Sequence, residues 1–87
     1  MLLTPSEIEV ALRSLPEWTS DGKSFRRTYT FPGFLDAVAF VNHLAGIAEA
    51  QGHHPDISVS NNRVSLSLTT HDAGGLTAKD LALARVL

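Results

Sequence analysis

The stretch DISVSNNRVSLSLTT, residues 56–70, constrains the fold more than any other part of the chain. Ile57 and Val59 alternate with serines before Asn61-Asn62, and Val64, Leu66 and Leu68 alternate with polar residues after it. A period of two sends successive side chains to opposite faces of a strand, so each half reads as a strand with one apolar face. Asparagine tolerates the positive φ of a tight turn, and the two halves therefore predict an antiparallel hairpin. The apolar face of a sheet built on this hairpin has to be covered, while its serine and threonine face can meet water.

The rest of the chain supplies the cover. Thr4-Pro5-Ser6-Glu7 has the features of a helix start, with Thr4 as cap, Pro5 in the first helical position and Glu7 completing a capping box. Ile8, Leu12 and Leu15 follow near helical spacing, and Pro16 ends the run. Trp18 and Thr19 read as extended, Ser20-Asp21-Gly22-Lys23 as a turn, and SFRRTYTF as a second strand with Phe25, Tyr29 and Phe31 on one face. Arg27 falls on that same apolar face, which predicts that the face is partly wet there. Residues 34–50 read as the longest helix, with one stripe of Phe34, Val38, Val41, Ala45 and Ala48 and a neighbouring stripe of Phe40, Leu44 and Ile47. Gly52 suits its C-terminal cap. After HDAGG, Thr77 caps a last helix that turns Leu81, Ala84 and Val86 or Leu87 inward. The order is α-β-β-α-β-β-α, which predicts an α+β fold: a four-stranded antiparallel sheet with three helices packed on one face.

A chain of 87 residues reads as a single domain, 1–87. It has no cysteine, so no disulfide can reinforce a core of this size, and self-association is the expected support. The apolar arc on residues 34–50 is wider than one buried face needs, which predicts a homodimer or homotetramer through that helix. Net charge is −2 and Arg26-Arg27 is the one basic pair, so a nucleic-acid partner is not expected. No apolar run approaches the ~20 residues that span a bilayer, so no membrane role is expected. MLLTPSEIEVAL lacks the basic and apolar regions of a secretory signal, and a cytoplasmic location is expected.

Chemistry concentrates around the hairpin. His53 and His54 follow Gly52 in a loop, and His71 leaves the last strand for the next loop. Hairpin pairing, read as bringing residue 56 near residue 70, gathers His53, His54 and His71 with Asp56 and Asp72. Glu49 stands four residues before His53, and Asp80 stands in the first turn of the last helix. Taken singly, a loop histidine is most often solvent-exposed, and an aspartate near a helix N-terminus is electrostatically favourable without any function. Together they admit two chemistries. Three histidines can bind zinc with an open fourth position, although adjacent histidines diverge in extended chain and the i, i+4 helical spacing is absent. Imidazoles can also serve as general acid and base near neutrality, because both protonation states are populated there. His43, beside Phe40 and Ile47 on the long helix, reads as structural or interfacial, and Trp18 as core or interface. Ala73-Gly74-Gly75 is too short for a phosphate cradle and lacks its lysine.

EAQGHHPD followed by VSLSLTTHDAGGLTAKD resembles the pterin-4a-carbinolamine dehydratase family, whose pattern maps onto Glu49, His53, His54, Pro55, Asp56, Thr70, His71, Asp72, Gly75, Leu76, Thr77 and Asp80. LPEW, RTYTF and the Phe34 helix extend the resemblance over nearly the whole chain. It implies dehydration of a 4a-hydroxytetrahydropterin to a quinonoid dihydropterin, which regenerates tetrahydrobiopterin, without a metal or a cofactor. The catalytic residues it implies are His53, His54 and His71, supported by Glu49 and Asp80, with the pterin contacted by His54, Asp56, Thr70, Asp72 and Ala73. The chain departs from the pattern at Gly52, where some members carry an acidic residue, and at Ala73, where cysteine is frequent. The alternative that the resemblance leaves open is a non-catalytic dimerisation or assembly module on the same fold.

Overall fold

The computed structural model describes residues 1–87 and has the anticipated element order. The elements are α1 (Pro5–Arg13), β1 (Thr19–Ser20), β2 (Phe25–Thr30), α2 (Phe34–Gln51), β3 (Asp56–Ser60), β4 (Arg63–Leu68), a single 3-10 turn at His71–Ala73, and α3 (Ala78–Val86). The four strands form one antiparallel sheet in the order β1-β2-β4-β3, with the helices on one face. The second strand of the hairpin is thus the sheet's centre and its first strand is an edge.

Register follows from the turn. Asn61 takes φ 53° and closes a two-residue loop, so Ser60 sits opposite Arg63 and Asp56 opposite Ser67. This shifts the pairing by three residues from the one read in the sequence, because a two-residue turn leaves no slack between the strands. Continuing that register puts position 53 level with position 70. Alternation then sorts the faces: Phe25, Leu68, Leu66 and Val64 turn toward the helices, while Arg26, Thr28, Ser65 and Ser58 form the open face. Thr28 and Ser65 hydroxyls meet there at 3.1 Å.

The core joins Ile8, Ala11 and Leu15 from the first helix and its exit to Trp18, Phe25, Val64, Leu66, Leu68, Leu76, Leu83 and Ala84. α2 contributes Ala37 and Leu44, with Phe40, Val41 and Ile47 half-buried against them, so its inward line lies between the two stripes expected from the sequence. Phe34 and Ala45 face outward. The small side chains of Ala37 and Ala48 let the helix lie close to the sheet. Ile57 and Val59 share the helix face with Leu66 and Val64, yet remain 39% and 41% exposed because they stand on the edge strand. In α3 the buried positions are Asp80, Leu83 and Ala84, with Leu81 and Leu87 half-buried and Val86 outward.

Arg27 does occupy the apolar face. Its guanidinium lies 4.1 Å from the Tyr29 ring centroid and 5.9 Å from that of Trp18, pairs with Glu17, and donates to the Leu87 carbonyl at 3.3 Å. The charge thus rests on aromatic faces and ties the end of α3 to the sheet. Burial of Tyr29 pushes its phenol above the usual tyrosine range.

The segment that carries His53 and His54 starts at Gly52, which caps α2 at φ 64° and donates to the carbonyls of Ala48 and Glu49. A Cβ added there would meet nothing within 4 Å, so the cost of a side chain is purely that of left-handed backbone. Gly52→Ala is expected to lower stability by about 1 kcal/mol. Urea unfolding followed by circular dichroism measures it.

Candidate active site

Two loops meet at one end of the sheet: the connection from α2 to β3, and the 70–77 connection between β4 and α3. The last of these is pinned by Thr70. Its N–H donates to the Gly75 carbonyl, and its own carbonyl accepts from the N–H groups of Ala73, Gly74 and Gly75. Thr77 and Asp80 then form a capping box at the start of α3, as the Asp80 carboxylate accepts from the Thr77 N–H at 2.9 Å.

Asp80 is wholly buried. Its Oδ2 accepts from Thr77 N–H and from the Thr70 hydroxyl at 2.8 Å, and its Oδ1 lies 2.6 Å from His53 Nε2. A buried charge of this kind persists only when it is hydrogen-bonded on every side. A carboxylate oxygen only accepts, so His53 donates through Nε2, and in the neutral ring Nδ1 carries the free lone pair. The His53 side chain is 12% exposed, so it is held in place and still reaches the surface.

The other two histidines also have one carboxylate each, in far wetter surroundings. His54 Nε2 lies 2.9 Å from Glu49 Oε2, with the two side chains 66% and 80% exposed. His71 Nε2 lies 3.7 Å from Asp56 Oδ2, both again largely exposed. Exposed pairs of this sort contribute little to stability and leave the rings free to move.

A cavity of about 260 Å³ is lined by His53, His54, Thr70, His71, Asp72 and Lys79. All three histidines singled out in the sequence therefore converge on one space. Glu49 and Asp80 stand behind His54 and His53, and Asp56 stands beside His71 without lining the cavity. Ala73 lines an adjoining cavity of about 440 Å³ that shares Thr70, Asp72 and Lys79 with the first. A larger cavity of about 460 Å³ lies between α1 and α3, but it has no histidine and offers no acid–base pair at its floor. No three histidine, aspartate or glutamate side chains are arranged to hold a metal ion.

Lys79 is the charged residue at this cavity that sequence reasoning passed over. The signal was present: a lysine in the first turn of a helix works against the helix dipole, which favours anions there. Its place next to Asp80 and just past the His71 loop puts this cation at the cavity.

An antiparallel sheet backed by three helices, with imidazole–carboxylate pairs around an open polar cavity, defines an α+β protein with a histidine-lined cavity. The family model described as Pterin 4 alpha carbinolamine dehydratase matches residues 1–87, and the chain belongs to that family. A protein of Thermosynechococcus vestitus named "Putative pterin-4-alpha-carbinolamine dehydratase" is 52% identical over 85 residues, covering 98% of this chain and 90% of that protein. The crystal structure of a transcriptional coactivator/pterin dehydratase from Brucella melitensis superposes with a TM-score of 0.91 at 38% identity, covering 99% of this chain and 94% of the other. A pterin dehydratase-like protein described as a RuBisCO assembly factor in the α-carboxysome shares the fold alone, with a TM-score of 0.63 at 20% identity over 79% of this chain and 80% of that one.

Asp80→Ala removes the acceptor for the Thr77 N–H, the Thr70 hydroxyl and His53 Nε2 in one step. A loss of about 3 kcal/mol in unfolding free energy is expected, because buried donors are left unpaired. Glu49→Ala, which removes an exposed partner, is expected to change stability by less than about 0.5 kcal/mol in the same urea titration.

Proposed function

We propose that the protein dehydrates a 4a-hydroxytetrahydropterin to the quinonoid dihydropterin, regenerating the tetrahydrobiopterin cofactor, by histidine acid–base catalysis with no resident metal or cofactor. The observation that carries the reading is the convergence of His53, His54 and His71, each with its own carboxylate, on one cavity. Membership of the dehydratase family supplies the substrate class.

The reaction breaks the C4a–O bond and moves two protons. His71, as imidazolium, delivers a proton to the departing oxygen, which leaves as water. His53 takes the N5 proton at Nδ1, and the N–H electron pair becomes the N5=C4a double bond. His53 suits the base because its Nε2–H is committed to Asp80, leaving a lone pair on Nδ1, and because the carboxylate stabilises the imidazolium that forms. His71 suits the acid because it is exposed to water, from which it can be reprotonated after each turnover. His54 holds the ring, aided by Thr70, Asp72 and Ala73, and Lys79 adds a donor at the cavity edge.

The alternative is a non-catalytic assembly module, the role described for the fold relative from the α-carboxysome. Retention of all three histidines favours catalysis, since an assembly role has no use for their pairing.

The reading carries with it a cytoplasmic location and a homo-oligomer formed through α2. That helix has 18 residues, of which only Ala37, Leu44 and Ala48 are buried, while Phe34 and Leu35 are 53% and 79% exposed. Light scattering is expected to give two or four times the 9.4 kDa chain mass, and Leu35→Asp to return the mass to that of one chain. A monomer in the unsubstituted protein would end this assembly proposal.

The activity has a direct assay. A hydroxylase generates the 4a-hydroxy intermediate, and its absorbance is followed with and without the protein. Acceleration is expected, with His53→Ala and His71→Ala each lowering kcat by about 10²–10⁴-fold. His43→Ala, on the exposed side of α2, should leave kcat within about twofold. No acceleration at any pH near neutrality would sink the dehydratase reading.

A further inference from the structure

We propose that Thr70 is a positioning residue whose hydroxyl, acting through Asp80, fixes which nitrogen of His53 bears the proton. The kinetic side of this inference rests on the dehydratase reading; the structural side stands without it.

Donor counting sets the direction of the network. Thr70 Oγ1 lies 2.8 Å from Asp80 Oδ2 and 2.7 Å from Thr77 Oγ1. A hydroxyl has one proton, and a carboxylate accepts only. The Thr70 proton therefore goes to Asp80, and Thr77 donates to Thr70. Thr77 Oγ1 in turn accepts from the Lys79 N–H at 3.3 Å. The chain runs one way, from Lys79 N–H through Thr77 and Thr70 to Asp80 Oδ2. With Oδ2 filled by Thr70 and the Thr77 N–H, Oδ1 is left to His53 alone.

The backbone makes the arrangement stiff. The N–H and C=O of Thr70 together take part in four hydrogen bonds that close the 70–75 loop, so the hydroxyl has little freedom to turn elsewhere. Its proton and one lone pair are engaged inside the protein. Thr70 thus lines the cavity, as the expected ligand contact would, and its hydroxyl also acts on Asp80.

Without that hydroxyl, Oδ2 keeps only one donor, and Asp80 can turn so that its grip on Nε2 loosens. Neutral His53 then samples both tautomers, and part of the population presents N–H to the cavity where a base needs a lone pair. The charged and titratable groups facing His53 are Asp80 and Lys79 from α3, Asp72 and His71 from the 3-10 turn, and His54 from its own loop. All are retained in Thr70→Val, so a change can be assigned to the hydroxyl.

The test compares unsubstituted protein, Thr70→Val and Thr70→Ser by ¹⁵N NMR of the histidine rings and by the pH profile of kcat. The unsubstituted protein should show neutral His53 protonated at Nε2. Thr70→Val should show a mixture of tautomers, a displaced pH profile, and a kcat about tenfold lower with KM little changed, as expected for one lost hydrogen bond to a charged group. Thr70→Ser, which restores the hydroxyl, should recover all three. Neutral His53 protonated at Nδ1 in the unsubstituted protein overturns the proposal even if Thr70→Val fails to fold. So does an unchanged tautomer and pH profile in Thr70→Val, or a Thr70→Ser that behaves like the valine variant. If the unsubstituted protein is inactive, the dehydratase reading falls, while the tautomer measurement still judges Thr70.

Discussion

The buried carboxylate of Asp80 is the interaction on which the arrangement depends. It begins α3 by capping Thr77, fixes the loop after β4 through Thr70, and holds the loop after α2 through His53. The start of α3 with the loop before it, and the loop after α2 some 27 residues away, are thereby tied to one fully buried group. A charge in that position is costly unless it is hydrogen-bonded, so the two segments support each other's geometry. The same constraint that closes the fold orients an imidazole.

Around this hub the three histidines divide into one that is fixed and two that are free. His53 is almost buried and clamped at one nitrogen, whereas His54 and His71 are wet and loosely paired. That contrast suits a site in which one ring must present a defined lone pair and the others must follow a ligand. It also explains the HisHis doublet: adjacent residues at the exit of α2 point into different surroundings, one toward α3 and one toward Glu49. The sheet itself carries none of the three rings. It sets β3 and β4 in register so that the 53 and 70 positions come level, and the loops do the rest.

Much of this was legible in the chain. Alternation in 25–31 and 56–68, the Thr4 and Thr77 caps, and the Gly52 stop define the elements, because periodicity and capping are local properties. The hairpin also announced that the histidines converge. What local reasoning missed depended on more distant partners. The register came out three residues away, since it is set by the turn length and not by pattern. The inward line of α2 fell on Ala37, Leu44 and Ala48, because small residues mark close approach only once there is a sheet to approach. Leu83 and the edge position of Ile57 and Val59 likewise depend on which surfaces meet.

By itself, then, the sequence determined the α+β order, the antiparallel hairpins, and the set of residues that could share a site. The tertiary structure decided their partners and burial. Asp80 could have been an ordinary acidic residue at a helix start; burial made it the anchor of His53. Thr70 could have been one more strand-end residue; its hydroxyl found the buried carboxylate while its side chain lines the cavity. Lys79 could have been one more surface lysine; the meeting of loops put it at the cavity. The physical reason is the same each time. A side chain's type and local element follow from its neighbours in sequence, whereas its protonation, partners and duty follow from which groups the packed fold removes from water and which it leaves facing the cavity.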